Sequence, residues 1–324
     1  MQTMRLGSTD LELTRIGLGT WAIGGGGWEY GWGPQDDRDS ILTVIRAVEL
    51  GINWLDTAAI YGLGHSEEIV RKALKELRHR PLLATKCGRG ARPDGTIFPN
   101  LNRKTVLAEC DASLKRLGVG VIDLYQIHWP EPDEKIEEAW ESMARLKEQG
   151  KVRHIGVSNF SLQQLKRIAQ IHPVASLQPP YSMLRRDVEK EVLAYCEAQG
   201  IGVLAYSPIG RGLLTGKWTK ERSATLTDDD HRRRMPDFNE PGLSINLELV
   251  EGLRAIASRY DRSVAELAIA WVLRNDSVTA AIVGGRRPDQ IGETALAGDW
   301  RLSDDDIDEI NSLLERRDNK MAKV

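Results

Sequence analysis

Eight short apolar runs along this chain are each followed by a longer segment with apolar residues at helical spacing. This alternation narrows the fold more than any other feature. The runs are Arg15–Thr20, Asn53–Asp56, Pro81–Lys86, Ile122–His128, His154–Ser158, Ala175–Gln178, Gly202–Ser207 and Ala280–Val283. The helical segments between them stop at Gly51, Gly118, Gly150 and Gly200, a C-terminal glycine signal. Parallel strands need crossovers of a dozen residues or more, and helices supply them here. The pattern predicts the α/β class: one closed (β/α)8 TIM barrel spanning 1–324, with no break in composition. A hairpin is expected at 4–13 around Gly7-Ser8-Thr9-Asp10. Extra C-terminal helices are expected at about 246–260, at 263–274, from Pro288, and from Ser303 to about Leu314. A doubly wound sheet would want Gly-x-Gly-x-x-Gly after the first strand. Gly17-Leu18-Gly19-Thr20-Trp21-Ala22-Ile23-Gly24 has the wrong spacing.

The net charge of −3 argues against nucleic-acid binding. Arg232-Arg233-Arg234 follows Asp228-Asp229-Asp230 and reads as a solvated loop. No stretch approaches the ~20 apolar residues of a membrane span. With no apolar signal segment after Met1, a cytoplasmic location is expected. Cys87, Cys110 and Cys196 read as reduced, buried thiols, and no cluster has metal-ligand spacing. Segment 208–244, rich in Gly, Pro and charge, is long enough to be a lid or disordered.

In such a barrel the strand C-termini share one face. That face collects Asp56, Tyr61, Lys86, His128, Ser158, Asn159, Gln178, Tyr206 and Ser207. Each alone has an ordinary structural explanation, but a lysine closing a buried strand is costly unless paired. Together, a phenol, an ammonium, an aspartate and a histidine can move a proton to or from an oxygen. Cys87 adjoins Lys86 and so faces the other side of its strand.

Five segments, in order along nearly the whole chain, resemble the aldo-keto reductase superfamily. They are Asp56-Thr57-Ala58-Ala59-Ile60-Tyr61-Gly62, Ala84-Thr85-Lys86, Ile127-His128-Trp129, Gly156-Val157-Ser158-Asn159-Phe160 and Ala205-Tyr206-Ser207-Pro208-Ile209-Gly210. The resemblance implies a barrel that reduces carbonyls with a nicotinamide cofactor, and Asp56, Tyr61, Lys86 and His128 as its catalytic four. Tyr61 would be the general acid. The Lys86 ammonium would favour its phenolate, Asp56 would hold Lys86, and His128 would orient the carbonyl. Ser158, Asn159 and Gln178 would bind the carboxamide of the nicotinamide and Tyr206 would stack on its ring. Gly19, Thr20, Trp21 and Asp56 would border that ring, and Ser207, Pro208, Ile209 and Gly210 would continue the cofactor wall.

Val283-Gly284-Gly285-Arg286-Arg287-Pro288 leaves small residues for close approach ahead of a helix start. Two arginines there suit a 2′-phosphate, so NADPH/NADP+ is the expected cofactor. By resemblance Gln290 and Glu293 contact the adenosine end, where Thr294 replaces the usual asparagine. Gly212 and Lys217, with Arg232, would cover the pyrophosphate. Trp21, Trp28, Tyr30, Trp32 and Trp129 would wall a substrate mouth with Tyr61 and His128, favouring apolar or aromatic aldehydes and ketones. Gly24-Gly25-Gly26-Gly27 suggests a mobile first loop. A small-molecule carbonyl is the expected partner, and the oligomeric state stays open. So do two other readings: a channel-subunit-like regulatory protein with slow turnover, and a lyase using Lys86 as a Schiff base.

Overall fold

A computed structural model describes residues 1–323. The barrel strands are β1 (Ile16–Gly19), β2 (Trp54–Asp56), β3 (Leu82–Cys87), β4 (Ile122–Ile127), β5 (Val152–Ser158), β6 (Ser176–Gln178), β7 (Gly202–Tyr206) and β8 (Val278–Gly284). They pair in parallel in sequence order and close where β8 meets β1, Gly284 opposite Gly19. The open-sheet alternative is thereby excluded. Helices α1 (Asp37–Glu49), α2 (His65–Leu74), α3 (Arg103–Leu117), α4 (Ile136–Glu148), α5 (Leu162–Ala169) and α6 (Val192–Ala198) make the crossovers. Between β7 and β8 lie α7 (Lys220–Ala224), α8 (Gly242–Ser258) and α9 (Val264–Leu273), and α10 (Pro288–Thr294) and α11 (Asp304–Met321) follow.

Local chemistry explains the helix starts. Asp36, Asn102, Ser161, Ser263 and Ser303 each accept a backbone N–H from the third residue along, satisfying a donor the helix leaves free. Side-chain alternation then sorts the strands. Leu18, Leu55, Leu83, Tyr125 and Val157 face the helices. Trp54, Ala84, Leu124, Leu204 and Ala280 fill the barrel and pack on Leu6, Leu11 and Leu13. Those leucines belong to the N-terminal hairpin, Thr3–Arg5 paired with Glu12–Thr14, which forms a floor under the barrel. Trp54 takes so much interior space that a Cβ on Gly17 would stand 2.1 Å from its indole. Cys87 turns outward toward Met143 as alternation requires, and all three cysteines are buried and free.

Some elements depart from the sequence expectations. An antiparallel pair, Arg89–Ala91 with Ile97–Pro99, follows β3 and was not anticipated. The segment after β7 is folded: turns at Gly210–Thr215, His231–Arg234 and Pro236–Phe238 flank α7, over a small core of Leu213, Trp218, Phe238 and Leu243. Helix α8 starts four residues early, at Gly242. Helix α11 continues to Met321 because its polar end is tied down, with Arg317 donating to Asn246 (2.9 Å) and Lys320 paired with Glu248 (2.6 Å). No described helix is long and apolar enough to cross a membrane.

Glu109 of α3 accepts the Gly88 N–H at 2.9 Å and so holds the turn that leaves β3. Burial pushes its carboxyl from 4.5 to about 8. The folded chain therefore keeps a proton that the unfolded chain releases near pH ~4.3. This stabilisation is complete below that pH and is lost as pH rises through about 8. Glu109→Gln keeps an acceptor for Gly88 and removes the titration. Urea unfolding at pH 5 and pH 8 is expected to show a smaller difference for the variant than for the parent.

Candidate active site

The strand C-termini open into a cavity of about 1040 Å³. Lys86 lies just behind its wall, 1% exposed. Its Nζ donates to Asp56 Oδ2 (2.6 Å), to the Thr57 carbonyl (2.9 Å) and to Tyr61 Oη (3.3 Å). These use all three donors of an ammonium. Asp56 Oδ1 accepts from Gln178 Nε2 at 2.9 Å, so β2, β3 and β6 meet in one network. Beneath it, Ser66 Oγ lies 2.7 Å from Thr20 Oγ1 and 3.2 Å from Thr57 Oγ1, which ties α2 to the ends of β1 and β2.

Burial pulls the Lys86 ammonium below an ordinary lysine, and Asp56 opposes that pull. Burial also pushes the Tyr61 hydroxyl well above an ordinary phenol, with the Asp56 charge adding to the rise. The sequence reading expected Lys86 to make the phenol more acidic. In the folded protein burial wins, and Tyr61 keeps its proton. His128, one residue past β4, meets the Tyr61 ring edge to face at 5.6 Å. Burial, and then the nearby Lys86 and Arg89 cations, hold its imidazole neutral. A Schiff-base lysine needs a free lone pair, which the fully engaged Lys86 does not offer.

Of the residues expected at the cofactor, all line this cavity except Thr20, Gly210 and Arg287. Thr20 is fully buried behind it. The expected carboxamide partners are held by one another and by their neighbours: Ser158 Oγ donates to the Gln178 carbonyl (2.8 Å), Asn159 Nδ2 to the His128 carbonyl (2.9 Å), and Tyr206 Oη to Asn159 Oδ1 (2.9 Å). Arg286 is held by neutral acceptors, Gln35 Oε1 (2.6 Å), the Trp32 carbonyl (3.0 Å) and the Pro34 carbonyl. Arg287 pairs at the surface with Asp289 (3.2 Å). Gln290 Oε1 accepts the Arg286 N–H (2.8 Å), and Glu293 meets Lys217 across the cavity (2.6 Å).

Arg232 corrects the expectation of a solvated loop. It is 7% exposed, bonded to Asp230 through both Nε (2.9 Å) and Nη2 (2.5 Å), and sandwiched between Trp32 (4.4 Å) and Trp218 (4.8 Å). Its guanidinium joins the loop after β1 to the segment after β7. The first loop is held on its other side too. The Glu29 N–H donates to the Gly95 carbonyl, and Glu29 Oε2 accepts from the Ile97 N–H (2.7 Å). Trp21 stands between Trp32 (5.4 Å) and Tyr61 (6.2 Å), and Trp129 lies at the rim under Arg89 (5.3 Å). Sequence reasoning missed many of the lining residues, among them the basic Arg211, Arg222 and His231. Arg211 sits between two residues of a recognised segment, whereas the other two carry no local signal.

A model of the Aldo/keto reductase family matches residues 15–315. The chain belongs to the aldo/keto reductase family. Its relatives include the aldo-keto reductase YhdN of Bacillus subtilis, 41% identical over 97% of this chain and 94% of that one. The NADH-specific methylglyoxal reductase of Escherichia coli is 34% identical over 97% of this chain and 99% of its own length. A glycerol dehydrogenase from Gluconobacter oxydans superposes with a TM-score of 0.88 at 37% identity, over 97% of this chain and 95% of that one. This aldo/keto reductase is thus an oxidoreductase of the carbonyl-reducing type that uses a nicotinamide cofactor.

The Asp230–Arg232 pair supports the roof of the reductase cavity. Asp230→Ala leaves a buried guanidinium without its anion, which costs on the order of 3 kcal/mol. Trypsin is then expected to cut faster after Arg232, Arg233 or Arg234, and the rate of loss of the intact band in limited proteolysis measures this.

Proposed function

We propose that the protein reduces aldehydes and ketones to alcohols with NADPH, using Tyr61 as the proton donor. The observation that carries this reading is the hydrogen-bonded run Asp56–Lys86–Tyr61, set beside His128 at one cavity. When bound, the nicotinamide supplies the hydride. As charge gathers on the substrate oxygen, Tyr61 Oη gives up its proton. A phenol raised by burial still serves, because an alkoxide is a far stronger base than a phenolate. Lys86, 3.3 Å from Oη, stabilises the phenolate left behind, and Asp56 keeps Lys86 charged. Neutral His128 donates an N–H to the same oxygen and fixes its position.

Ser158, Asn159 and Gln178 are the groups to hold a carboxamide, with Tyr206 against the ring. The opposite end of the cavity fits phosphates. Arg222, Arg232 and Arg286 line it, and its acids are already paired, Asp230 with Arg232 and Glu293 with Lys217. Burial and then the neighbouring cations, Arg232 foremost, depress the Arg286 guanidinium, a mark of local positive excess. That excess favours NADPH, with Arg286 contributing more than the surface-paired Arg287.

Two experiments test the reading. Tyr61→Phe is expected to lower turnover of an activated aromatic aldehyde by about 10²–10⁴-fold, while tryptophan quenching reports an NADPH affinity close to the parent's. Full activity in that variant would remove Tyr61 from its role. Arg286→Ala is expected to weaken NADPH by about tenfold or more and NADH by much less. Equal weakening of both would overturn the preference for NADPH.

A further inference from the structure

The two sides of the cavity carry different arginines. Arg222, Arg232 and Arg286 come from the segments after β7 and β8, at the end suited to phosphates. Arg89 comes from the end of β3, with Trp129 and Glu131 from the turn after β4, and all three line the cavity. In the closed eight-stranded barrel β3 and β4 face β7 and β8 across the axis. The His128 N–H donates to the Cys87 carbonyl at 2.9 Å, so the ends of β3 and β4 lie side by side. Arg89 therefore stands near the imidazole that meets the substrate oxygen, away from the phosphate end.

Arg89 is held ready for an anion. Its guanidinium lies over the Trp129 ring at 5.3 Å, which orders its plane. Its side chain is only 13% exposed, yet it makes a single side-chain hydrogen bond, from Nη2 to Glu131 Oε2 (2.8 Å). Nε and Nη1 have no acceptor among the described residues, and both keep accessible surface. Glu131 shows that a carboxylate fits against this guanidinium. Glu131 itself is 50% exposed, and so solvated a pair contributes little. A carboxylate arriving with a substrate can take its place while Glu131 returns to water. Because Arg89 is already ordered, the exchange carries little entropy cost on the protein side.

Two other charges line this end. Glu29 Oε2 is committed to the Ile97 N–H (2.7 Å), and Arg234 donates to the Glu29 carbonyl. Both arginines bear on Tyr30, where they oppose the rise that burial and then Glu29 impose on its hydroxyl. With Glu131 displaced, two cations face one acid. We propose that Arg89 is a specificity-determining residue that selects carbonyl substrates bearing a carboxylate, which displaces Glu131 from its guanidinium. This inference rests on the reductase reading of the cavity and deepens it.

The test compares 3- and 4-formylbenzoate with 3- and 4-formylbenzamide, pairs matched in size, at saturating NADPH with the full chain. Following the kcat/KM ratio of each pair across variants cancels the intrinsic reactivity of the aldehydes and any loss common to both. For at least one pair the parent is expected to favour the benzoate by about tenfold or more, chiefly through KM. Arg89→Met is expected to bring that ratio to about one or below, and Arg89→Lys to keep part of it. Glu131→Gln removes the competing carboxylate and is expected to raise the ratio. A parent that reduces benzoate and benzamide with equal efficiency overturns the proposal, and so does a ratio that Arg89→Met leaves unchanged. A lower ratio in Glu131→Gln also overturns it, because Glu131 would then be the support of Arg89 and not its stand-in anion. If the benzamides are reduced and only the preference is missing, the reductase reading stands without this inference. If no aldehyde is reduced, the reductase reading falls, and carboxylate selection with it.

Discussion

The contact between Lys86 and Asp56 is the constraint on which the site depends. An ammonium inside a barrel is intolerable without an anion and further acceptors. Here the acceptors come from the end of β2 and the turn after it, and Gln178 secures the anion from β6. Satisfying one lysine thus fixes the separation of three strand ends and the position of the Tyr61 hydroxyl. The low-dielectric setting that makes this pair costly also makes each of its hydrogen bonds directional and hard to replace. The reacting groups inherit their rigidity from that need.

A second cation organises the roof. Arg232 stacks between indoles from two loops that are distant in sequence, with Asp230 neutralising it. The roof is therefore assembled like a small core, with its own apolar cluster, rather than draped as loose chain.

Much of this was legible in the sequence, for identifiable reasons. Glycine stops and Ser, Asn and Asp caps act within a few residues, so strands and crossovers could be read one at a time. The convergence of Asp56, Lys86 and His128 followed from barrel topology alone. Features that depend on distant partners could not be read. Arg89–Ala91 and Ile97–Pro99 are too short and irregular to announce a strand pair. The end of α11 looks like a polar tail until Asn246 and Glu248 are beside it. Arg286 looks free until Gln35 and Pro34 reach it. The acidity of Tyr61 was misjudged because a neighbouring charge can be inferred from sequence, whereas depth of burial cannot.

The leucine floor beneath the barrel has a practical consequence. It places the amino end of the chain at the pole opposite the cavity mouth. A tether attached there would hold the protein with its opening turned away from the support, leaving small molecules an unobstructed route in and out.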